Sequence, residues 1–142
     1  MDSFLKLIND KNLCLFDNEG NILLRHKSLW TQFAEFKKVK DNCIIIREDH
    51  YNFPKENRDK ANIYCLDNNF KLRWTIDSPF PNDTFPNSIV WDKQTIEKRN
   101  ENGYLMLDLV DNLNTFICSS WKGITVTVEY ETGQTISKEF TK

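Results

Sequence analysis

His26 and His50 are the residues of this 142-residue chain best suited to acid–base chemistry. His50 directly follows Glu48 and Asp49, and an acid beside an imidazole can orient the ring for proton transfer. Adjacent residues of a β-strand point to opposite faces, so Asp49 and His50 would be separated unless the strand has already ended. The pattern therefore favours a solvated polar cluster at a strand end over a catalytic pair.

Motifs for nucleophilic catalysis or metal binding do not occur in the sequence. Ser119 and Ser120 are not set in the G-x-S-x-G turn that exposes a catalytic serine, and Cys118 follows the apolar pair 116–117. The turn at 17–20 lacks the oxygen ligands and the closing glutamate of a calcium loop. The sequence therefore predicts no metal site, no cofactor and no enzymatic activity.

The composition predicts one folded domain that covers residues 1–142. Apolar residues make up 39% and aromatic residues 13% of the chain, which is too much for a disordered protein. A chain of this length can bury a core of its own. The net charge of −2 gives no basic field that would attract a nucleic acid.

The amino-terminal sequence and the cysteines predict a cytoplasmic protein. The first residues lack the positively charged start and the small-residue cleavage site of a secretory signal. No apolar run approaches the roughly 20 residues of a membrane-spanning helix, so no membrane contact is expected. The four cysteines lie in apolar runs and include no C-x-x-C pair, which predicts buried thiols without a disulfide.

Four β-hairpins of similar design are predicted along the chain. Each joins two short apolar or alternating stretches through residues that favour turns, mainly Asp, Asn and Gly. The runs 13–16 and 43–46 are apolar without alternation, which predicts strands covered on both faces. The predicted turns lie at 17–20, 67–69, 111–114 and 131–133.

One short helix is predicted between residues 28 and 40. Ser28 is a good N-cap, Leu29, Phe33 and Phe36 follow at helical spacing, and lysines occupy the last turn. The fold class is therefore mainly β, with antiparallel sheets built from repeated hairpins and one short helix. The sheets could be arranged as a sandwich, a curved sheet or a partial propeller.

Two segments are predicted to be loops, and the second is the best candidate for a binding site. Residues 52–60 are polar, and residues 78–88 contain three prolines. Binding residues are often found on loops held by a rigid sheet, and Trp is enriched at binding hot spots. The alternative is that the phenylalanines of loop 78–88 close the edge of the core. The candidate binding residues are Phe80, Asp83, Phe85, Trp91 and Trp121.

Two of the predicted hairpins resemble the outer hairpins of blades in quinoprotein-like and WD-like β-propellers. The residues that carry this resemblance run from Leu66 to Trp74 and from Tyr130 to Ile136. The chain has room for three such units at most, whereas closed propellers have about four or more blades. The resemblance therefore implies propeller-like hairpins without quinone-cofactor chemistry.

The tail SSWKGITVTVEYETGQTISKEFTK resembles the ending of small uncharacterised bacterial proteins. Some proteins of this type are similar to immunity proteins, which neutralise a neighbouring toxin. The resemblance implies a protein-binding module whose partner is a toxin. Two other functions stay open from the sequence: a structural β module that self-associates into a homo-oligomer, and an enzyme of unknown class.

Overall fold

The computed structural model describes residues 3–55 and 59–140, and within them it contains eleven β-strands and no helix. The predicted loop 52–60 is partly outside this description, at 56–58. The strands are β1 Phe4–Asn9, β2 Asn12–Phe16, β3 Ile22–Lys27, β4 Phe33–Lys40, β5 Cys43–Glu48, β6 Lys60–Leu66, β7 Leu72–Asp77, β8 Val90–Arg99, β9 Leu105–Ser119, β10 Ile124–Glu129 and β11 Thr135–Phe140.

The strands form three antiparallel sheets in which consecutive strands are neighbours. The first sheet contains β1–β3, the second β4–β7 and the third β8–β11. Short connections between successive strands favour antiparallel pairing, which a two-residue to five-residue turn can close. The predicted mainly β fold, built from repeated antiparallel hairpins, is confirmed.

Side-chain oxygens in the turns fix the hairpin geometry. Asp17, Asp67 and Asn100 each accept hydrogen bonds from the backbone N–H groups two and four residues later, at 2.8–3.0 Å. Asp and Asn are favoured in turns because their short side chains can form such bonds. The three turns thus share one chemical design, although only the first two were predicted.

The predicted turn at 111–114 is wrong, because β9 continues through these residues. The β8–β9 hairpin turns instead at 100–103, where Gly103 has a φ of 83°. The polar stretch is accommodated by an irregular pairing: Trp91 is opposite Phe116, but Lys93 is opposite Asp111. Extra residues in β9 therefore form a bulge, which the sequence pattern does not distinguish from a turn.

The predicted helix at 28–40 is also wrong, because its second part forms β4. Phe33 and Phe36 are three residues apart and would face opposite sides of a regular strand. A bulge between Phe33 and Glu35 shifts the register, so both rings pack in the same hydrophobic cluster. The bulge thus allows residues at helical spacing to pack on the same side of a strand. Among the residues that the structure describes, no helix is long and apolar enough to cross a membrane.

The second sheet packs between the other two, and its strand β5 is covered on both faces. Cys43 and Ile45 lie in a cluster shared with the third sheet, whereas Ile44 and Ile46 lie in a cluster shared with the first sheet. All residues of β5 are buried, as its apolar run predicts. In β2 the prediction holds less well, since only the first half of the run 13–16 is buried. All four cysteines are buried and unbridged.

Candidate functional site

Loop 78–88 is fixed to the second sheet by a buried amide. The side-chain N–H₂ of Asn62 donates to the carbonyl oxygens of Glu48 at 2.6 Å and of Phe85 at 2.9 Å. Its Oδ1 accepts from the backbone N–H of Phe85 at 2.8 Å. The amide therefore pairs with Phe85 as a neighbouring strand would, and it holds the Phe85 ring in the core, where it is fully buried. Phe85 thus contributes to the core and has no exposed surface.

The carboxyl-terminal end of the loop is fixed by a largely buried ion pair. Arg47 Nε donates to Glu35 Oε2 at 2.6 Å, and Arg47 Nη1 donates to the carbonyl oxygen of Pro86 at 3.3 Å. The same carboxylate oxygen accepts from the backbone N–H of Ile89 at 3.1 Å. Charge-assisted hydrogen bonds of this kind are stronger than neutral ones. Strands β4 and β5 thereby determine where the loop joins β8.

Asp83 connects the middle of the loop to the β9–β10 turn. Its Oδ1 accepts from the backbone N–H groups of Lys122 at 3.0 Å and of Thr84 at 3.1 Å. The backbone N–H of Trp121 donates to the carbonyl oxygen of Thr84 at 2.8 Å, and Lys122 Nζ donates to that of Pro81 at 2.7 Å. Asp83 is buried, so its role in the structure is to hold the two loops together.

The rings of His50, Tyr51 and Trp121 meet on the outside of these loops, and Phe80 lies against Lys122, the residue after Trp121. We call these four residues the aromatic surface: His50, Tyr51, Phe80 and Trp121. The imidazole of His50 stacks against the indole of Trp121, with centroids 5.7 Å apart and planes at 26°. The ring centroids of Tyr51 and His50 are 4.4 Å apart. Lys122 Nζ lies 4.9 Å from the centroid of Phe80. Trp121 and Tyr51 are each 69% exposed although they contact other side chains.

An open cleft of about 590 Å³ lies beside the aromatic surface. Its lining includes His50, Phe53, Lys60 and Asp83. The Oδ2 atom of Asp83 is buried and has no hydrogen-bond partner among the described residues. The cleft also places the ammonium groups of Lys55 and Lys60 next to the aromatic surface.

Trp91 lies apart from the aromatic surface. It is half-buried on β8, where its ring packs 5.9 Å from that of Phe116 and 6.4 Å from that of Tyr130. Lys37 Nζ lies 4.9 Å above the indole. Of the predicted candidates, the structure thus places Phe80, Asp83 and Trp121 on two loops that are hydrogen-bonded to each other.

His50 and Tyr51 are not among the predicted binding residues, since His50 was considered only for acid–base chemistry. Strand β5 ends at Glu48, so His50 lies just beyond the strand, and its Nδ1 is 3.6 Å from Asp49 Oδ1. The sequence does show two adjacent ring side chains, His50 and Tyr51, directly after a buried strand. Their partner Trp121 is far away in the chain, so only the packing of the second and third sheets reveals the stack.

Glu48 and His26, the other residues considered for acid–base chemistry, belong to a buried structural network. The carboxylate of Glu48 accepts hydrogen bonds from the three backbone N–H groups of 29–31 at 2.7–3.0 Å, and from the hydroxyl of Tyr64 at 2.5 Å. These N–H groups would have been the free donors of the predicted helix start. The Tyr64 oxygen lies 2.7 Å from His26 Nε2. Because the Tyr64 hydroxyl donates its hydrogen bond to Glu48, its oxygen can only accept from His26. Neutral His26 must therefore carry its proton on Nε2.

Burial determines the ionisation of this network. It raises the pKa of Tyr64, and the negative charge of Glu48 adds to that effect. It lowers the pKa of His26, and this effect is larger than the opposite effect of the charge of Glu48. Both groups are therefore neutral near pH 7. Elsewhere, no group of three or more His, Cys, Asp or Glu side chains within 3–55 and 59–140 is arranged to hold a metal ion.

Comparison with models of known protein families gives no match for this sequence, and a search of curated proteins gives none either. The resemblance to propeller blades and to immunity-type proteins therefore stays a prediction. The geometry of the described residues is what supports a function.

Proposed function

We propose that this protein is a non-enzymatic binding module that recognises another protein through the aromatic surface. In its most specific form it is a cytoplasmic immunity-type protein, which binds and neutralises a toxin. The observation that carries the proposal is the 69% exposure of Trp121 while its ring stacks on His50. Trp and Tyr are enriched among the residues that dominate binding energy at protein interfaces.

The aromatic surface is rigid before any partner arrives, and this favours binding. The backbone of Trp121 is hydrogen-bonded to Thr84, and that of Lys122 to Asp83, so the turn that carries Trp121 is fixed to the loop that carries Phe80. A side chain that is already held in place loses less conformational entropy on association. A pre-ordered Trp can therefore contribute most of its buried apolar area to affinity.

The surroundings of the rings favour an acidic protein partner. Lys122 lies against Phe80, and the adjacent cleft is lined by Lys55 and Lys60. Complementary charge at the rim of an interface accelerates association and improves specificity. Because these lysines are few and the chain has a net charge of −2, the proposal excludes a nucleic-acid partner and a membrane.

Titration of the purified protein with the products of the genes adjacent to its own tests this proposal. We expect one neighbouring product to bind with a dissociation constant at or below the micromolar range. Trp121→Ala should weaken that binding by about 30-fold, which corresponds to about 2 kcal/mol for a hot-spot side chain. Isothermal titration calorimetry measures this change directly.

Tyr104→Ala is the matched control, because Tyr104 is also an exposed ring but lies at the tip of the β8–β9 hairpin. It should bind the partner as the unaltered protein does. Equal binding by Trp121→Ala and the unaltered protein would overturn the role of the aromatic surface. Failure of every neighbouring product to bind at micromolar concentration would overturn the immunity-type form.

A further inference from the structure

The outer part of the β8–β9 hairpin is a two-stranded arm, defined here as residues 95–109. Strand β9 pairs with β10 only through 115–119, whereas it pairs with β8 as far as Leu105. No arm residue belongs to either hydrophobic cluster of the described chain. One edge of β9 in the arm therefore has no neighbouring strand among the described residues.

The arm carries a row of exposed leucines on that strand. Leu105, Leu107 and Leu109 point to the same face and are 54–66% exposed. Opposite them on β8 lie Arg99, Glu97 and Thr95, which are polar. The apolar side chains thus line the strand whose outer edge is open, and the polar ones line the other strand.

Such an edge is unusual in a protein that remains monomeric. An isolated two-stranded hairpin is marginally stable in water, since neither face is covered. Exposed apolar edge strands readily pair with another chain unless charges, prolines or bulges block them. Between 105 and 109 the arm has one charge, on Asp108, and that charge is paired with Lys98 at 2.6 Å. Between 105 and 109 no proline, bulge or unpaired charge opposes pairing, since the bulge of β9 lies further along the strand.

We propose that the arm pairs with the arm of a second copy of this chain, with β9 antiparallel to β9 around a two-fold axis at Leu107. In this register Leu107 faces Leu107 of the second copy, and Leu105 faces Leu109. The two hairpins become one four-stranded sheet with six leucines on its central strands. The proposal concerns a surface separate from the aromatic surface and does not depend on the proposed function.

Charge and side-chain size select this register over its neighbours. An axis at Asp108 would place Asp108 opposite its own copy, and like charges directly opposite each other are destabilising. An axis at Met106 would place Leu109 opposite Gly103, which offers no side chain to contact. The axis at Leu107 pairs every leucine with a leucine and places Asp108 opposite Met106.

The position of β10 leaves room for this pairing. With the axis at Leu107, the position opposite residue 115 is residue 99 of the second copy, which lies beyond the start of its β9 at Leu105. The second arm therefore ends before it reaches β10. The remaining parts of the two molecules then lie at opposite ends of the joined sheet. A two-fold interface of this kind requires a self-complementary surface, and the order Leu-Met-Leu-Asp-Leu satisfies that requirement.

Charge substitutions at Leu107 provide a direct test, because this residue faces itself. We expect the unaltered protein to be a dimer by sedimentation equilibrium, and Leu107→Asp or Leu107→Lys to raise its dissociation constant at least 30-fold. An equimolar mixture of the two variants should restore dimerisation to within about 10-fold, since opposite charges then face each other. Leu72→Asp, at an exposed position of the edge strand β7, is the matched control and should stay dimeric.

Each other outcome overturns the proposal. A monomer at all concentrations excludes self-association, and a dimer that survives Leu107→Asp uses another surface. If each variant is monomeric alone and their mixture does not dimerise, the register centred on Leu107 is excluded. Leu107 is 66% exposed, so both variants should remain folded, with the circular dichroism spectrum of a β protein and a cooperative thermal transition, which checks that separation is not unfolding. Trp121→Ala should leave the dimer intact, which separates this test from that of the aromatic surface.

Discussion

Gly133→Ala should destabilise the protein by far more than alanine at any comparable turn, because Gly133 lies directly against Trp74. A Cβ atom at position 133 would be 2.3, 2.5 and 2.7 Å from three atoms of the indole, and Gly133 has a φ of 71°. The left-handed backbone costs about 1–2 kcal/mol for alanine. Displacing the ring adds about 1–3 kcal/mol of overpacking, and losing the 2.7 Å bond from Trp74 Nε1 to the Tyr130 carbonyl adds about 1 kcal/mol.

The expected loss of unfolding free energy is therefore about 3–6 kcal/mol, a large part of the stability of a typical domain. Gly20→Ala and Gly103→Ala are the controls, since both positions have similar positive φ values but no atom within 4 Å of the added Cβ. Each control should lose only the backbone contribution of about 1–2 kcal/mol. The difference between the variants isolates the contact with Trp74.

Urea unfolding followed by circular dichroism measures these free energies, provided that the slope with urea stays constant among the variants. The double variant Trp74→Leu, Gly133→Ala should be more stable than the sum of the two single losses predicts, because the smaller side chain removes the clash. If Gly133→Ala loses no more than Gly20→Ala, the Trp74 ring is not fixed against the turn and the reasoning is refuted.

Two further predictions concern the buried network around Glu48. Glu48→Gln should lower the unfolding free energy by about 2–4 kcal/mol, because the amide N–H₂ cannot accept the hydrogen bonds that the carboxylate accepts. The control Glu139→Gln, on the exposed strand β11, should change the unfolding free energy by less than about 0.5 kcal/mol. Equal losses of both variants in urea unfolding would contradict the role of Glu48. Because the pKa of His26 is lowered in the folded protein, the unfolded chain takes up a proton at a higher pH than the folded one does. The contribution of His26 to the unfolding free energy is therefore fully present above the unfolded pKa of about 6.5 and decreases as the pH falls toward the folded pKa. Urea unfolding between pH 8 and pH 5 should show this decline, and His26→Gln should flatten it; a decline of equal slope in both proteins would exclude His26 as its cause.

The sequence predicts the strand content well because turn chemistry is local. Asp17 and Asp67 form their hydrogen bonds within four residues, so composition alone locates these two turns. The run 43–46 indicates its own burial because no polar residue interrupts it. The helix prediction for 28–40 was wrong because a bulge in β4, set by pairing with β5, allows apolar residues at helical spacing to pack on one side of a strand. Local patterns cannot reveal register shifts that depend on a neighbouring strand.

The candidate site was predictable only in part for the same reason. Phe80 and Trp121 could be selected by residue type and by their position near loops. Phe85 looks equivalent to Phe80 in the sequence, yet it is buried because Asn62 binds its backbone. The stack of His50 on Trp121 joins two loops that follow strands of different sheets. No local sequence pattern predicts a contact between residues so far apart in the chain.

The order of the sheets along the chain has a consequence for folding during synthesis. Each sheet is made of consecutive strands, so its pairings have low contact order and can form as soon as its last strand has left the ribosome. The second sheet, however, has apolar side chains on both faces, and the third sheet, which covers Cys43 and Ile45, is translated after it. Until β8–β11 emerge, the nascent chain presents an apolar sheet face to its surroundings, which is the stage at which a chaperone would have the most to bind.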